Sequence, residues 1–137
     1  MRVHEIMTVS PHTLAADATL GDAVELMRGY SIRHLPIVDG DKVVGIISDR
    51  DVKVALGPDA TLDISDADPQ MLEGSVDWFM SDTILTIDSE APISEAGELF
   101  LREKYGALPV MRGGKLVGIL SVLDILRVAL PALQDAS

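Results

Sequence analysis

Gly45-Ile46-Ile47-Ser48-Asp49-Arg50-Asp51 reads as a buried strand that leaves a glycine and opens a helix at a serine. Downstream, Gly118-Ile119-Leu120-Ser121-Val122-Leu123-Asp124 repeats the pattern, with glycine, hydroxyl and carboxylate at the same spacing. Working outward, a shift of 73 residues aligns Val3–Leu56 with Val76–Ala129 without a gap and gives 16 identities in 54 positions. They include Met7/Met80, Thr13/Thr86, Leu35/Leu108, Pro36/Pro109, Gly40/Gly113 and Lys42/Lys115. Chance does not sustain such agreement over a gapless span, so the chain is two copies of one unit. The copies are placed at 3–56 and 76–130, with 57–75 between them as an acidic linker.

Each copy carries the same element signals. A short extended segment surrounds Thr13-Leu14 and Thr86-Ile87. A helix follows, with Leu20, Ala23, Val24 and Met27 at helical spacing in the first copy and Ile93, Ala96, Phe100 and Leu101 in the second. Thr19 and Asp22 form a capping pair, and Pro92 in place of Thr19 suits a first helical turn. Strands are expected at Leu35–Val38 with Val43–Ile47, and at Leu108–Met111 with Leu116–Leu120, joined by glycine turns. Helices then open at Ser48, stopping at Gly57-Pro58, and at Ser121, fraying near Pro131. The linker is rich in Asp, Gly and Pro, with a short helix near Gln70-Met71-Leu72 and no fixed carboxylate geometry for a metal. One copy of about 54 residues buries too little surface alone. The expected fold is therefore α/β (α+β): two β-α-β-β-α repeats packed as one pseudo-two-fold symmetric globule.

Composition narrows the function. The 137 residues hold no cysteine, which excludes a disulfide scaffold, a thiol nucleophile and thiolate metal sites. No apolar run approaches the ~18 residues of a membrane span, and Met1-Arg2-Val3-His4-Glu5 leads into no signal-like segment, so the expected location is cytoplasmic. Twenty-two acids against 11 bases, and five aromatics, disfavour nucleic acid as the main partner. Between Val54 and Leu101 there are 11 acids and no Lys or Arg, so the remaining 11 acids balance all 11 bases outside that segment. A small anion is admissible there.

The Gly45–Asp51 corner has two readings. A helix N-terminus offers free N–H groups and a positive dipole end to phosphate, a glycine admits a ligand to the backbone, and a carboxylate accepts both hydrogens of a ribose diol. Ser at the cap and Asp three residues on also satisfy the helix's own amides with no ligand present. Spacing alone leaves both open. Catalysis is not the expectation: of His4, His12 and His34, the first two are eight apart with no i,i+4 relation that favours a metal, and no Gly-x-Ser-x-Gly, Walker loop or cysteine nucleophile is present, while an acid–base pair among the 22 carboxylates stays open.

The ordered set, twice over, of a Met-Thr or Met-Ser start, a helix, a Leu-Pro strand, a glycine turn and Gly-Ile-Ile/Leu-Ser-x-x-Asp resembles the cystathionine-beta-synthase (CBS) domain. The resemblance covers Val3 to about Leu130. It implies a pseudo-symmetric pair with two clefts that bind adenosine-containing ligands: AMP, ADP, ATP or S-adenosylmethionine. It implies that Asp51 and Asp124 hold ribose hydroxyls and that Ser48 and Ser121 lie near ribose or phosphate. Thr8, Val9, Pro11, His12 and Thr13, with Ser81, Asp82, Ile84 and Leu85, are the implied adenine contacts. Pro36 and Pro109 belong to the same motif set, Arg33 and His34 are the implied phosphate contacts, and the difference between the copies adds Arg50 to the expected phosphate grip. The second copy has Gly106-Ala107 and Val122-Leu123 where the first has Arg33-His34 and Asp49-Arg50, so unequal sites are expected.

The functional expectation is a stand-alone, non-enzymatic sensor, forming a homodimer and signalling to another, unknown effector protein. No cofactor and no metal are required, and the acidic middle segment favours AMP over ATP. The helix faces Leu20–Met27, Ile93–Leu101 and Val122–Leu133 are the candidate dimer contacts. The alternative is a ligand-free dimerisation or scaffold module.

Overall fold

A computed structural model describes residues 1–57, 67–82, 84–103 and 105–136. The expected linker is thus seen only at its ends; 58–66, including Pro58, lie outside the described residues. The fold is mixed α/β, with two sheets and five α-helices among the described residues. It divides into two compact units: unit 1 is Met1–Pro11 with Leu85–Ser137, and unit 2 is His12–Ile84.

In unit 2, β2 (Leu14–Ala15) leads through α1 (Leu20–Tyr30) to β3 (His34–Asp39), β4 (Lys42–Ser48) and α2 (Asp49–Leu56). β2 pairs parallel with β3, as a helical crossover requires, and β3 pairs antiparallel with β4. Thr19 caps α1 as expected: its hydroxyl accepts from Asp22 N at 3.1 Å while Asp22 Oδ2 accepts from Thr19 N at 3.0 Å. Leu20, Ala23, Val24 and Met27 form the buried stripe of α1 and pack with Leu35, Ile37, Ile47 and Val52. Gly57 ends α2 with φ at 112°. The short helix before the second repeat is α3 (Pro69–Leu72), capped by Asp68, whose carboxylate accepts from Gln70 N at 3.0 Å.

In unit 1, β5 (Ile87–Asp88), α4 (Ile93–Glu103), β6 (Ala107–Arg112), β7 (Lys115–Ser121) and α5 (Val122–Asp135) follow the same plan. A fourth strand, β1 (Thr8–Val9), adds to the open edge of β7, in the order β1-β7-β6-β5. Both hairpins slip register at the same place, between Ile37 and Val38 and between Val110 and Met111. Two details differ from expectation. Pro92 sits one residue before α4 and bridges to Arg2, while Ile93 N donates to Met1 O at 3.1 Å. α5 runs through Pro131 to Asp135; the proline costs one backbone bond, at an exposed position.

The start of each repeat is built into the other repeat's core. Val76, fully buried, belongs to the unit 2 cluster, and Val3, fully buried, belongs to the unit 1 cluster. The anchoring bonds match: Leu20 N to Gly74 O at 2.9 Å and Val76 N to Ala18 O at 2.8 Å in unit 2, Ile93 N to Met1 O at 3.1 Å and Val3 N to Ala91 O at 2.9 Å in unit 1.

Candidate functional site

Each unit presents one strand-to-helix corner. In unit 2, β4 ends at Ser48, whose hydroxyl accepts from Asp51 N at 3.2 Å. Asp51 Oδ2 accepts from Ser48 N at 2.8 Å and from Ser48 Oγ at 3.0 Å. Asp51 Oδ1 accepts no hydrogen bond from a described residue. The strand register puts His34 opposite Ser48 and Pro36 opposite Ile46, and Asp49 N donates to Arg33 O at 2.9 Å. Arg33, His34, Ser48 and Asp51 are therefore brought together by the end of one hairpin. Arg33 and Arg50 are exposed and form no ion pair with a described residue.

His34 is a weaker cation than sequence reading assigns. Burial lowers its pKa below the ordinary value, against the opposing pull of the Asp49 and Asp51 carboxylates. The lowered pKa favours the neutral imidazole, so the formal positive charge beside this corner rests on Arg33 and Arg50.

In unit 1, the Ser121 hydroxyl accepts from Asp124 N at 3.2 Å, and Asp124 Oδ2 accepts from Ser121 N at 2.8 Å. Here Oδ1 is engaged too, accepting from Arg127 Nη1 at 3.2 Å. Sequence reading missed Arg127. Its signal was the three-residue helical spacing from Asp124, which places the two side chains on one face.

The repeat-start residues fall beside the opposite motif. Ser81 exchanges both backbone hydrogen bonds with Ile46, at 2.9 and 3.0 Å, next to the Ser48 corner. Thr8 and Val9 pair with Ile119 and Gly118, next to the Ser121 corner. This explains both motif glycines. A Cβ on Gly45 would lie 2.8 Å from Ser81 O and strike the Met80 sulfur; one on Gly118 would lie 2.9 Å from Thr8 O and strike the Met7 sulfur. The close approach that each glycine permits is to the protein's own chain.

The remaining candidates are spread. Asp82 and Ile84 are exposed just after Ser81, and Thr13 is exposed just before β2. His12 stacks on Tyr30, with ring centroids 3.8 Å apart. Pro11 closes the N-terminal part of unit 1, and Leu85 packs on the unit 1 core. Pro36 and Pro109 are buried on equivalent strands, Pro109 opposite Ile119. A depression of about 520 Å³ in unit 2, flanked by Asp17, Asp39 and Asp77, lies at the hairpin end of β3, away from Ser48. None of the expected ligand residues lines it. Among the described residues no cluster of three or more metal-ligating side chains occurs, and no helix is long and apolar enough to cross a membrane.

The CBS domain family model matches residues 3–58 and 74–131. A CBS domain-containing protein of Dictyostelium discoideum is 31% identical over 135 residues, covering 96% of this chain and 93% of that protein. The crystal structure of a protein assigned to acetoin utilization (AcuB) from Vibrio cholerae superposes with a TM-score of 0.77 at 33% identity, covering 100% of this chain and 97% of that one. The crystal structure of CBSX2 in complex with AMP superposes with a TM-score of 0.77 at 27% identity, covering 96% of this chain and 98% of that one.

Proposed function

This chain belongs to the CBS-domain family, and from that premise we propose that it is a regulatory module, not an enzyme, that binds an adenosine-containing ligand at its Ser-x-x-Asp corners and signals to another protein. The observation that carries the reading is the Ser48 corner. Asp51 is fixed by its cap through Oδ2, which leaves Oδ1 as an acceptor for a ribose hydroxyl. The α2 N-terminus and the exposed Arg33 and Arg50 supply the setting for a phosphate. CBSX2, of similar fold and length, is known with AMP. Between AMP and ATP, the acidic middle segment favours the less charged AMP. The ligand acts as an effector by binding one conformation better than another, and needs no further cofactor.

The partner surface is a separate matter. Leu123, Leu126, Leu130 and Leu133 form an exposed stripe on α5, and Leu101 on α4 is 85% exposed. Such a stripe supports self-association into a homodimer. It also sustains the second reading, a ligand-free scaffold. The cytoplasm is the proposed location.

Calorimetric titration with AMP, repeated on Asp51→Ala and Asp124→Ala, tests the first reading. Saturable heat that disappears in one variant supports it and identifies the working corner. No heat with AMP, ATP or S-adenosylmethionine leaves both motifs as helix caps, and the scaffold reading leads. Light scattering on the same samples measures the assembly state.

A further inference from the structure

We propose that Arg127 sets the ligand preference of the unit 1 corner, selecting adenosine ligands that carry a phosphate over the uncharged nucleoside. The proposal rests on the adenosine reading above. It begins from the Asp124 carboxylate, which is only 12% exposed, with Oδ2 committed to Ser121 N and Oδ1 to Arg127 Nη1. The ribose diol of adenosine and AMP alike must share Oδ1 with the guanidinium or displace it, and only in AMP does the displaced guanidinium find a new partner. The phosphate gives the guanidinium a second anion. Its planar fork of five N–H donors can hold carboxylate and phosphate together.

Position and exposure both suit this role. Arg127 reaches back 3.2 Å from Asp124 Oδ1, to the first turn of α5, where the helix end favours an anion as well. The Arg127 side chain is 73% exposed, and an ion pair so exposed is weakly held and readily redirected. Unit 1 has Gly106 and Ala107 where unit 2 has Arg33 and His34, so the charge at this corner comes from the helix. In unit 2 the position matching Arg127 is Val54, 81% exposed, and Asp51 Oδ1 is correspondingly open. The two corners thus meet an uncharged nucleoside differently.

The test compares AMP with adenosine by calorimetry on the full chain carrying Asp51→Asn, which silences the unit 2 corner. AMP is expected to bind more tightly than adenosine by about tenfold, the scale of one charge-assisted hydrogen bond. Arg127→Val, which installs the residue that unit 2 carries, is expected to collapse that ratio, weakening AMP while strengthening adenosine. Arg127→Lys should retain part of the ratio. A ratio that Arg127→Val leaves unchanged makes the arginine a helix-surface pair only and overturns the proposal. So does wild-type protein that binds AMP while the Asp51→Asn form binds neither ligand. Wild-type protein that binds no adenosine ligand overturns the adenosine reading itself, a distinct result. If Asp51→Asn fails to fold, as thermal unfolding would reveal, Arg127→Val in the wild-type background gives the same ratio from the second step of a two-site titration.

Discussion

At the Ser48 corner, Asp51 holds one oxygen open and two arginines stand exposed without ion-pair partners among the described residues. At the Ser121 corner, both oxygens of Asp124 are engaged and the basic pair before the Leu-Pro strand is replaced by Gly106-Ala107. Yet glycine, serine and aspartate are the same in both. Folding alone accounts for the shared residues: Met80-Ser81 or Met7-Thr8 crosses the glycine, and serine and aspartate cap the helix. Where two copies of a motif sit in one chain, identity between them reports what the backbone needs. On the proposed adenosine reading, discrimination between ligands falls to the residues that differ.

The largest test of that division is at the glycines. Gly45→Ala and Gly118→Ala should each destabilise by about 1–3 kcal/mol in urea unfolding, because the new methyl meets a carbonyl and a sulfur in both corners. A cost confined to one of them would break the equivalence. Next, Asp51→Ala should weaken AMP binding by about 10- to 100-fold, through the loss of charge-assisted hydrogen bonds to the diol; an affinity within twofold of wild type would return Asp51 to a purely structural role. Ser48→Ala and Ser121→Ala should each cost about 1 kcal/mol as cap losses. The Ser48 change should be the larger, since only that hydroxyl also donates to its aspartate, at 3.0 Å. Ser89, 2% exposed with its hydroxyl unsatisfied, corresponds to Ala16 in the first repeat. Ser89→Ala should therefore raise stability by up to about 1 kcal/mol.

The smallest effect concerns pH. His34 has a folded pKa below its ordinary 6.5, so the unfolded chain binds the proton more readily. Its contribution is present above pH 6.5 and is lost as pH falls from there through the lowered value. His34→Ala, which copies Ala107, should flatten the slope of stability in that window. An unchanged slope would assign the pH dependence to another group.

Much of this architecture is legible in the chain. Gapless self-alignment exposes the duplication, and Thr19/Asp22 and Ser48/Asp51 announce their helices because a cap is a local interaction between near neighbours. The four hairpin strands follow from apolar runs flanking a glycine turn, within a residue or two of their ends. β1 was not legible: two exposed residues, Thr8 and Val9, carry no periodicity, and their strand exists only because β7 offers an unpaired edge. Nor was the packing reason for Gly45 and Gly118, since Met80 and Met7 lie far from them in the chain. The electrostatics of His34 depend on burial and on two aspartates of α2, which residue identity does not report. Pro131 suggests a helix end, and the exposed helix surface tolerates it.

The exchange of Val3 and Val76 between cores has a consequence for the order of events on the ribosome. Unit 2 is continuous in sequence and has every residue of its cluster once Val76 has been made. Unit 1 is split. Val3 is synthesised more than a hundred residues before Val110 and Leu120 of the same cluster. The segment that carries Val3 can therefore complete its own core only after unit 2 has been synthesised, and in doing so it closes a loop of more than a hundred residues. Contacts so far apart form slowly. Unit 1 should accordingly become protected from proteolysis later than unit 2 as the chain emerges.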